Sequence, residues 1–242
     1  KNNIFYVDTH LIGTLNNFTT HNLKLIDKNQ SEIIGTANFR NLFGKGNQEF
    51  YMKGNFDRIT SNYEDLKSIL PRILGNNLPS VLAKLGNVNI AGDVELTQKY
   101  INADVSMLSQ LGYLEGNLAM QNINNIDNAF YQGNIKLDAF DLGTLLSEKE
   151  IGKATLDLDV DGKGFTQKLL NTAIKGKIDK FYYNGYNYQN ITVDGSMKMP
   201  YYKGYFNSND PNLKMDFDGT IDLSLKAKNY DFKAQIDYAD LH

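Results

Sequence analysis

The feature that most constrains this chain is a hydrophobic period of two. Leu156, Leu158 and Val160 alternate with Asp157, Asp159 and Asp161. Leu213, Met215 and Phe217 alternate with Lys214, Asp216 and Asp218. Ile221, Leu223, Leu225 and Ala227 alternate with Asp222, Ser224, Lys226 and Lys228. Successive side chains of a strand point to opposite faces, so each run has one apolar and one wet face. Parallel strands covered on both sides would read as continuous Val, Ile and Leu, so half-buried alternation points to an antiparallel sheet.

Glycine spacing says the same. From Gly133 onward glycines recur at 143, 152, 162, 176, 185, 195, 204 and 219. That is roughly one per ten residues, the rhythm of a meandering all-β fold. Asp161-Gly162, Asn184-Gly185 and Asp194-Gly195 suit hairpin turns, because both central residues accept positive φ. Asp218-Gly219 reads either as a turn or as a bulge inside a strand. The segment from Asn207 to Asn212 has the composition of a loop.

One stretch departs from the period. Over 62–85, Leu66, Ile69, Leu70 and Ile73 follow helical spacing, and so do Leu78, Val81, Leu82 and Leu85. Ser61 or Asn62 can cap the first helix, Asn77 can cap the second, and Gly86 can end it. Two short amphipathic helices that cover part of the sheet are expected, with further helical turns at Gly143–Glu148 and Phe165–Asn171. The organisation expected is one continuous β-rich segment over 1–242, with strands at 1–60, a helical insertion at 61–86 and repetitive strands at 87–242. About eleven residues per strand gives on the order of 15–20 strands, more than the roughly seven to nine of an ordinary sandwich. No Pro/Ser-rich linker divides them, which favours a long sheet.

Composition removes several functions. Among 242 residues there is no cysteine, which excludes disulfides and thiolate metal sites. Lys and Arg number 25 against 28 Asp and Glu, a net charge of −3 that gives no electrostatic footprint for nucleic acid. No apolar run approaches the ~18 residues of a membrane helix. The chain opens on Lys1 and stops on Leu241-His242 within its own pattern, and the expectation is a segment of something longer. No basic leader is visible, but in such a segment that says little about location.

Few motifs suggest chemistry. Asp157-x-Asp159-x-Asp161-Gly162 begins like a calcium loop, but position twelve is Lys168 where a bidentate Glu is needed. The wet face of a strand explains the three aspartates better. His10, His21 and His242 have no ligand or nucleophile partner at a recognisable spacing. Gly44-Lys45-Gly46 lacks the rest of a phosphate-binding loop and reads as a hairpin tip. A chance pair of carboxylates is compatible with a glycosidase, but no short motif supports one. The run Phe181-Tyr182-Tyr183-Asn184-Gly185-Tyr186-Asn187-Tyr188, with Tyr201, Tyr202, Tyr205 and Phe206, reads mainly as strand chemistry, rings buried and hydroxyls wet. A sugar platform or an amphipathic contact is the sharper alternative.

Five segments in the C-terminal half carry a resemblance. Tyr131/Gly133 is followed by Phe140-Asp141-Leu142-Gly143, then by Ile151-Gly152/Thr155. Tyr186-x-Tyr188-x-Asn190-Ile191 leads to Gly195, and Asp210-Pro211-Asn212 leads to Phe217-x-Gly219. This series resembles the TamB family within the AsmA-like group of Gram-negative envelope proteins, with Ile151 standing where Leu is usual. The match covers about half of the chain. The resemblance implies a long curled sheet forming an open apolar groove, the β-taco. It also implies a periplasmic location with inner-membrane anchorage elsewhere in the protein, and a TamA-type outer-membrane barrel as partner. The implied function is non-enzymatic, carrying phospholipid between membranes and supporting outer-membrane protein assembly. No cofactor is implied beyond bound phospholipid. The groove lining then expected is Leu156, Leu158, Val160, Leu213, Met215, Phe217, Ile221, Leu223 and Leu225. The competing expectation is an envelope or extracellular β-sandwich that binds glycan or protein through its Tyr-rich strands. A β-helix carbohydrate enzyme is disfavoured, because parallel coils would show longer apolar runs.

Overall fold

The computed structural model describes residues 4–43, 49–69, 80–123, 125, 128–164, 169–198, 201–222 and 229–240. The protein is all-β. Its strands run in sequence order and antiparallel to their neighbours, and the sheet is not closed into a barrel. The chain divides into two compact units, residues 1–126 and 127–242.

The first unit holds seven strands: β1 (Phe5–Thr14), β2 (Asn17–Asp27), β3 (Glu32–Arg40), β4 (Tyr51–Asn62), β5 (Asn87–Thr97), β6 (Tyr100–Ser109) and β7 (Gly112–Gln121). Residues directly opposite across a ladder share a face. Phe18, Phe39, Met52, Leu96, Ile101 and Met120 therefore form one apolar row across β2 to β7. Ala37, Phe50, Met52, Phe56, Leu96 and Ile123 form a buried cluster, with Phe39, Leu42 and Ile101 packed on it. Bulges interrupt β2 and β4 on either side of the uninterrupted β3. His21 and Asn22 of β2 stand against Thr36 alone, and Asp57 of β4 is skipped between the Gly35–Phe56 and Ile34–Arg58 pairs. Each extra residue raises the local twist and bends its strand.

The expected helical insertion is a helix α1 (Tyr63–Ile69) followed by a 3-10 helix (Ser80–Leu85). The second expected cap, Asn77, lies outside the described residues. Asn62 caps α1, its Oδ1 accepting from Asp65 N at 3.0 Å while its Nδ2 donates to Asp65 Oδ2 at 2.7 Å. The same Asp65 carboxylate accepts from Asn29 Nδ2 (2.6 Å) and Ser31 Oγ (3.1 Å) in the turn after β2. The helix is thus tied by hydrogen bonds to the strand ends.

The second unit holds β8 (Phe130–Asp141), α2 (Leu142–Leu146), β9 (Ile151–Lys163), β10 (Asn171–Tyr183), β11 (Tyr186–Lys198), β12 (Tyr201–Asn209), β13 (Leu213–Asp222) and β14 (Asn229–Ala239). The expected turn at Gly143–Glu148 is α2. Of the other expected turn, 165–168 lies outside the described residues and Asn171 opens β10.

Three expectations need correction. The count is 14 described strands, because strands reach 13 residues and several glycines sit within them. Of the Asp-Gly and Asn-Gly pairs, only Asn184-Gly185 forms a hairpin turn, with φ of 47° and 91°. Gly162, Gly195 and Gly219 lie inside β9, β11 and β13. Their aspartates are ordinary members of a polar face. The expected loop over 207–212 shrinks to Asp210-Pro211-Asn212, since Asn207–Asn209 complete β12.

The segments that carry the family resemblance hold one another in place. Asp141 caps α2, its Oδ1 accepting from Thr144 N at 2.9 Å. Phe140 is 1% exposed. A Cβ on Gly143 would collide with the carbonyl of Ile151. Thr155 Oγ1 accepts from the N–H of Ala139 (3.1 Å), which sits at positive φ. Asp210 is fully buried, and its carboxylate accepts from Tyr186 Oη (2.8 Å), Gln189 N (2.7 Å) and Asn212 N (2.8 Å).

Candidate functional site

The ladders of the second unit place its apolar alternates on one face, in rows that cross the strands. One row is Leu137, Leu156, Ile178, Ile191, Ser208, Met215 and Ile236. The next is Ile135, Leu158, Gly176, Val193, Phe206, Phe217 and Ala234. A third is Gly133, Val160, Ile174, Gly195, Gly204, Gly219 and Phe232. A fourth is Tyr131, Gly162, Thr172, Met197, Tyr202, Ile221 and Tyr230.

Leu156, Leu158, Val160, Met215, Phe217 and Ile221 thus share one face, and Leu213 continues the alternation at the start of β13. Leu223 and Leu225 lie outside the described residues. Leu156 is buried, whereas Leu158, Val160, Met215, Phe217 and Ile221 are half-buried. Residues not expected in the groove lining complete the face, notably Ile174, Val193 and Met197, with Tyr202 and Phe206 from the aromatic cluster. The signal in β12 was obscured because Tyr201 and Tyr205 put aromatic rings on the other face as well.

Three consecutive glycines in the third row, Gly195, Gly204 and Gly219, floor a depression of about 180 Å³. Val193, Phe206 and Phe217 stand along one side, and Met197, Tyr202 and Ile221 along the other. Gly204 has φ +158°, and a Cβ there would run into the Gly195 backbone. Only glycine lets β11 and β12 approach this closely.

The opposite face is polar. Asp157, Asp159 and Asp161 are exposed on it. Asn134 Nδ2 donates to Asp157 at 2.8 Å and Asp159 at 3.0 Å, and Lys175 pairs with Asp194 at 2.8 Å. Among the described residues, no group of three or more His, Asp or Glu side chains could hold a metal ion. In the first unit His10 faces His21 across the β1–β2 ladder, with ring centroids 6.3 Å apart.

The tyrosines serve largely as donors to carboxylates. Tyr205 Oη donates to Asp216 at 2.7 Å, which raises the phenol pKa and, with Asn207, lowers that of the Asp216 carboxyl. Tyr186 is raised in the same way by Asp210. In the first unit Tyr100 is pushed up to about 12 by its hydrogen bond to Glu95. Tyr182 and Tyr183 remain exposed at 41% and 43%.

No helix among the described residues is long and apolar enough to cross a membrane. The chain matches no family model, no curated protein and no solved structure.

Proposed function

We propose that this chain is a non-enzymatic lipid conduit of the TamB type, a segment of a periplasmic bridge whose apolar sheet face receives the acyl chains of phospholipids. One observation carries the reading: the apolar face of the second unit spans seven strands in four rows, and most of it is only half-buried. A sheet face has to be covered by something apolar, and contiguous apolar patches above a few hundred Å² mark interaction sites. Two sheets packed at ~10 Å would bury such a face as a sandwich core. Here Val193, Phe206, Phe217 and Ile221 stay half-buried, and the glycine floor keeps a trough between them. A fluid apolar occupant suits such a surface better than a fixed partner. The resemblance to TamB in the same half of the chain supports that occupant, the envelope location and the outer-membrane barrel partner.

Native mass spectrometry of the purified chain tests the reading. Co-purifying phospholipid is expected. The double variant Leu158→Asp, Ile221→Arg should lose it while the circular dichroism spectrum keeps its β signature. A chain that carries no lipid, or a variant that keeps its lipid in full, would overturn the reading.

A further inference from the structure

We propose that the slot floored by Gly195, Gly204 and Gly219 seats a single acyl chain, laid across the strands, and makes no contact with the lipid head group. The proposal rests on reading this face as lipid-binding and adds what is held there and how.

Width sets the number of chains. The Val193–Phe206–Phe217 row and the Met197–Tyr202–Ile221 row stand four residues apart along each strand. At ~3.3 Å per residue the rows are ~13 Å apart, backbone to backbone. Side chains from both rows occupy part of that span, and apolar atoms in contact lie ~3.5–4.0 Å apart, so one hydrocarbon chain fits between the walls and two do not. The floor supplies depth because three successive positions carry no side chain. Ile174 and Phe232 stand at either end of the same row, four strand spacings apart, or ~19 Å. The volume exceeds that of a ~150 Å³ apolar cavity known to admit benzene.

Charge excludes the head group. No charged side chain belongs to these rows. Asp194 and Asp218 lie on the opposite face by strand alternation, and Lys203, which borders the floor, alternates with Tyr202 and Gly204 so that its side chain belongs to that face too. A phosphate brought between these rows would lose water and find no charged partner within them. The occupant is therefore the hydrocarbon alone, with its head group left in water.

The chain contains no tryptophan, so one introduced indole is a unique reporter. The reporter Phe206→Trp lies on the slot wall. Leu158→Trp lies on the same face outside the slot, and Thr192→Trp lies on the opposite face, away from the slot lining. Each is titrated with lysophosphatidylcholine and lysophosphatidylglycerol carrying a brominated acyl chain, below micelle formation. Quenching at Phe206→Trp should saturate at one lipid per chain, with the two head groups binding within about threefold of each other. Adding Val193→Phe and Met197→Phe to narrow the slot should weaken binding about tenfold or more. Should Phe206→Trp lose its β spectrum, Met197→Trp serves as the reporter and Val193→Phe alone as the block.

Preferential quenching of Leu158→Trp, with the slot reporter unaffected, would overturn the seat and leave the conduit reading standing. A more than tenfold head-group preference, or two lipids per slot, would overturn the seat as described. No quenching at any position, with no lipid in native mass spectra, would remove the seat and the conduit together.

Discussion

In the first unit, glycine alternates with bulk along one apolar row: Gly35, Phe56, Gly92, Val105, Gly116. In the second, three glycines fall side by side: Gly195, Gly204, Gly219. This difference in order separates a packed core from an open trough. A glycine leaves a gap on the pleated surface. When its cross-strand neighbour is large, the neighbour fills that gap. Along β4 itself the Phe56 ring also covers Gly54, two residues before it, where an added Cβ would lie 2.6 Å from the ring. In the run of three, Gly204 has glycine on both sides, and bulk returns only at the ends of the run, with Ile174 beside Gly195 and Phe232 beside Gly219. The first unit accordingly takes Ala37, Met52, Phe56 and Leu96 down to between 1% and 7% exposure, while Val193, Phe206, Phe217 and Ile221 stay half-buried. The same binary pattern therefore encodes two outcomes, and the placement of glycine across strands decides between them.

The largest expected effect tests this contrast directly. Phe56→Ala should cost about 3–5 kcal/mol, as for a fully buried aromatic. Phe217→Ala removes the same ring from a half-buried site and should cost about 1 kcal/mol, near half the transfer value. Urea denaturation with hydrogen exchange resolved by unit measures both. Equal losses would mean that the second unit is as tightly packed as the first.

Each unit also buries a carboxylate at the end of its strands, and the two differ in what they hold. Asp210 accepts two backbone N–H groups, from Gln189 and Asn212, besides Tyr186 Oη. Asp65 takes Asn29, Ser31 and Asn62 side chains, all of which can turn to other partners. Hydrogen bonds to a charged group contribute about 1.5–3 kcal/mol, and stranded backbone donors keep the full penalty. Asp210→Ala should therefore cost about 3 kcal/mol and Asp65→Ala about 1.5. The reverse order in thermal melts would show that the side-chain network of the first unit is the stiffer of the two.

Gly204→Ala comes next. It should cost about 2 kcal/mol, because the backbone conformation is strained for an L residue and the methyl meets the Gly195 backbone. Gly54→Ala meets chiefly the Phe56 ring, with the Thr36 carbonyl at 3.1 Å, and should cost less if Phe56 can shift. A neutral Gly204→Ala would show that the close approach of β11 and β12 is not needed for the slot.

Much of this was legible in the sequence. Period-two alternation identifies the antiparallel all-β class, and it places Leu156, Leu158, Val160, Met215, Phe217 and Ile221 on one face. Ser61 or Asn62 is recognisable as a cap before α1, and Asn62 takes that place. Cross-strand position was not legible. Whether Gly195 meets Gly204 or a Phe depends on register, and register depends on bulges such as the one beside Ala139, which a single sequence does not mark. The same gap explains why Asp161-Gly162 and Asp194-Gly195 read as turns. The dipeptide permits a turn, but these glycines are used within strands, Gly162 against the Tyr131 ring and Gly195 against Gly204. The trough was hidden for that reason, since it is a coincidence of three strands and leaves no trace in any one of them.

The smallest effect concerns the two helix caps. Asn62 caps α1 with an amide that does not titrate, whereas Asp141 caps α2 with a carboxylate. Thr144 donates to it from backbone N–H and hydroxyl, which holds the Asp141 pKa below the ordinary carboxylate value. A depressed folded pKa stabilises the fold above the unfolded pKa of ~3.9, and that contribution is lost as pH falls through the folded value. Asp141→Ala should cost about 1 kcal/mol at neutral pH. The difference between Asp141→Ala and the parent chain should then shrink as the pH drops below ~4 and the parent carboxylate takes up its proton. Asp141→Asn should keep part of the cap at neutral pH and show a weaker pH dependence. If the parent and Asp141→Ala differ equally at pH ~3 and pH ~7, the charge of this carboxylate contributes nothing, and α2 is held by the packing of Phe140 and the close approach at Gly143.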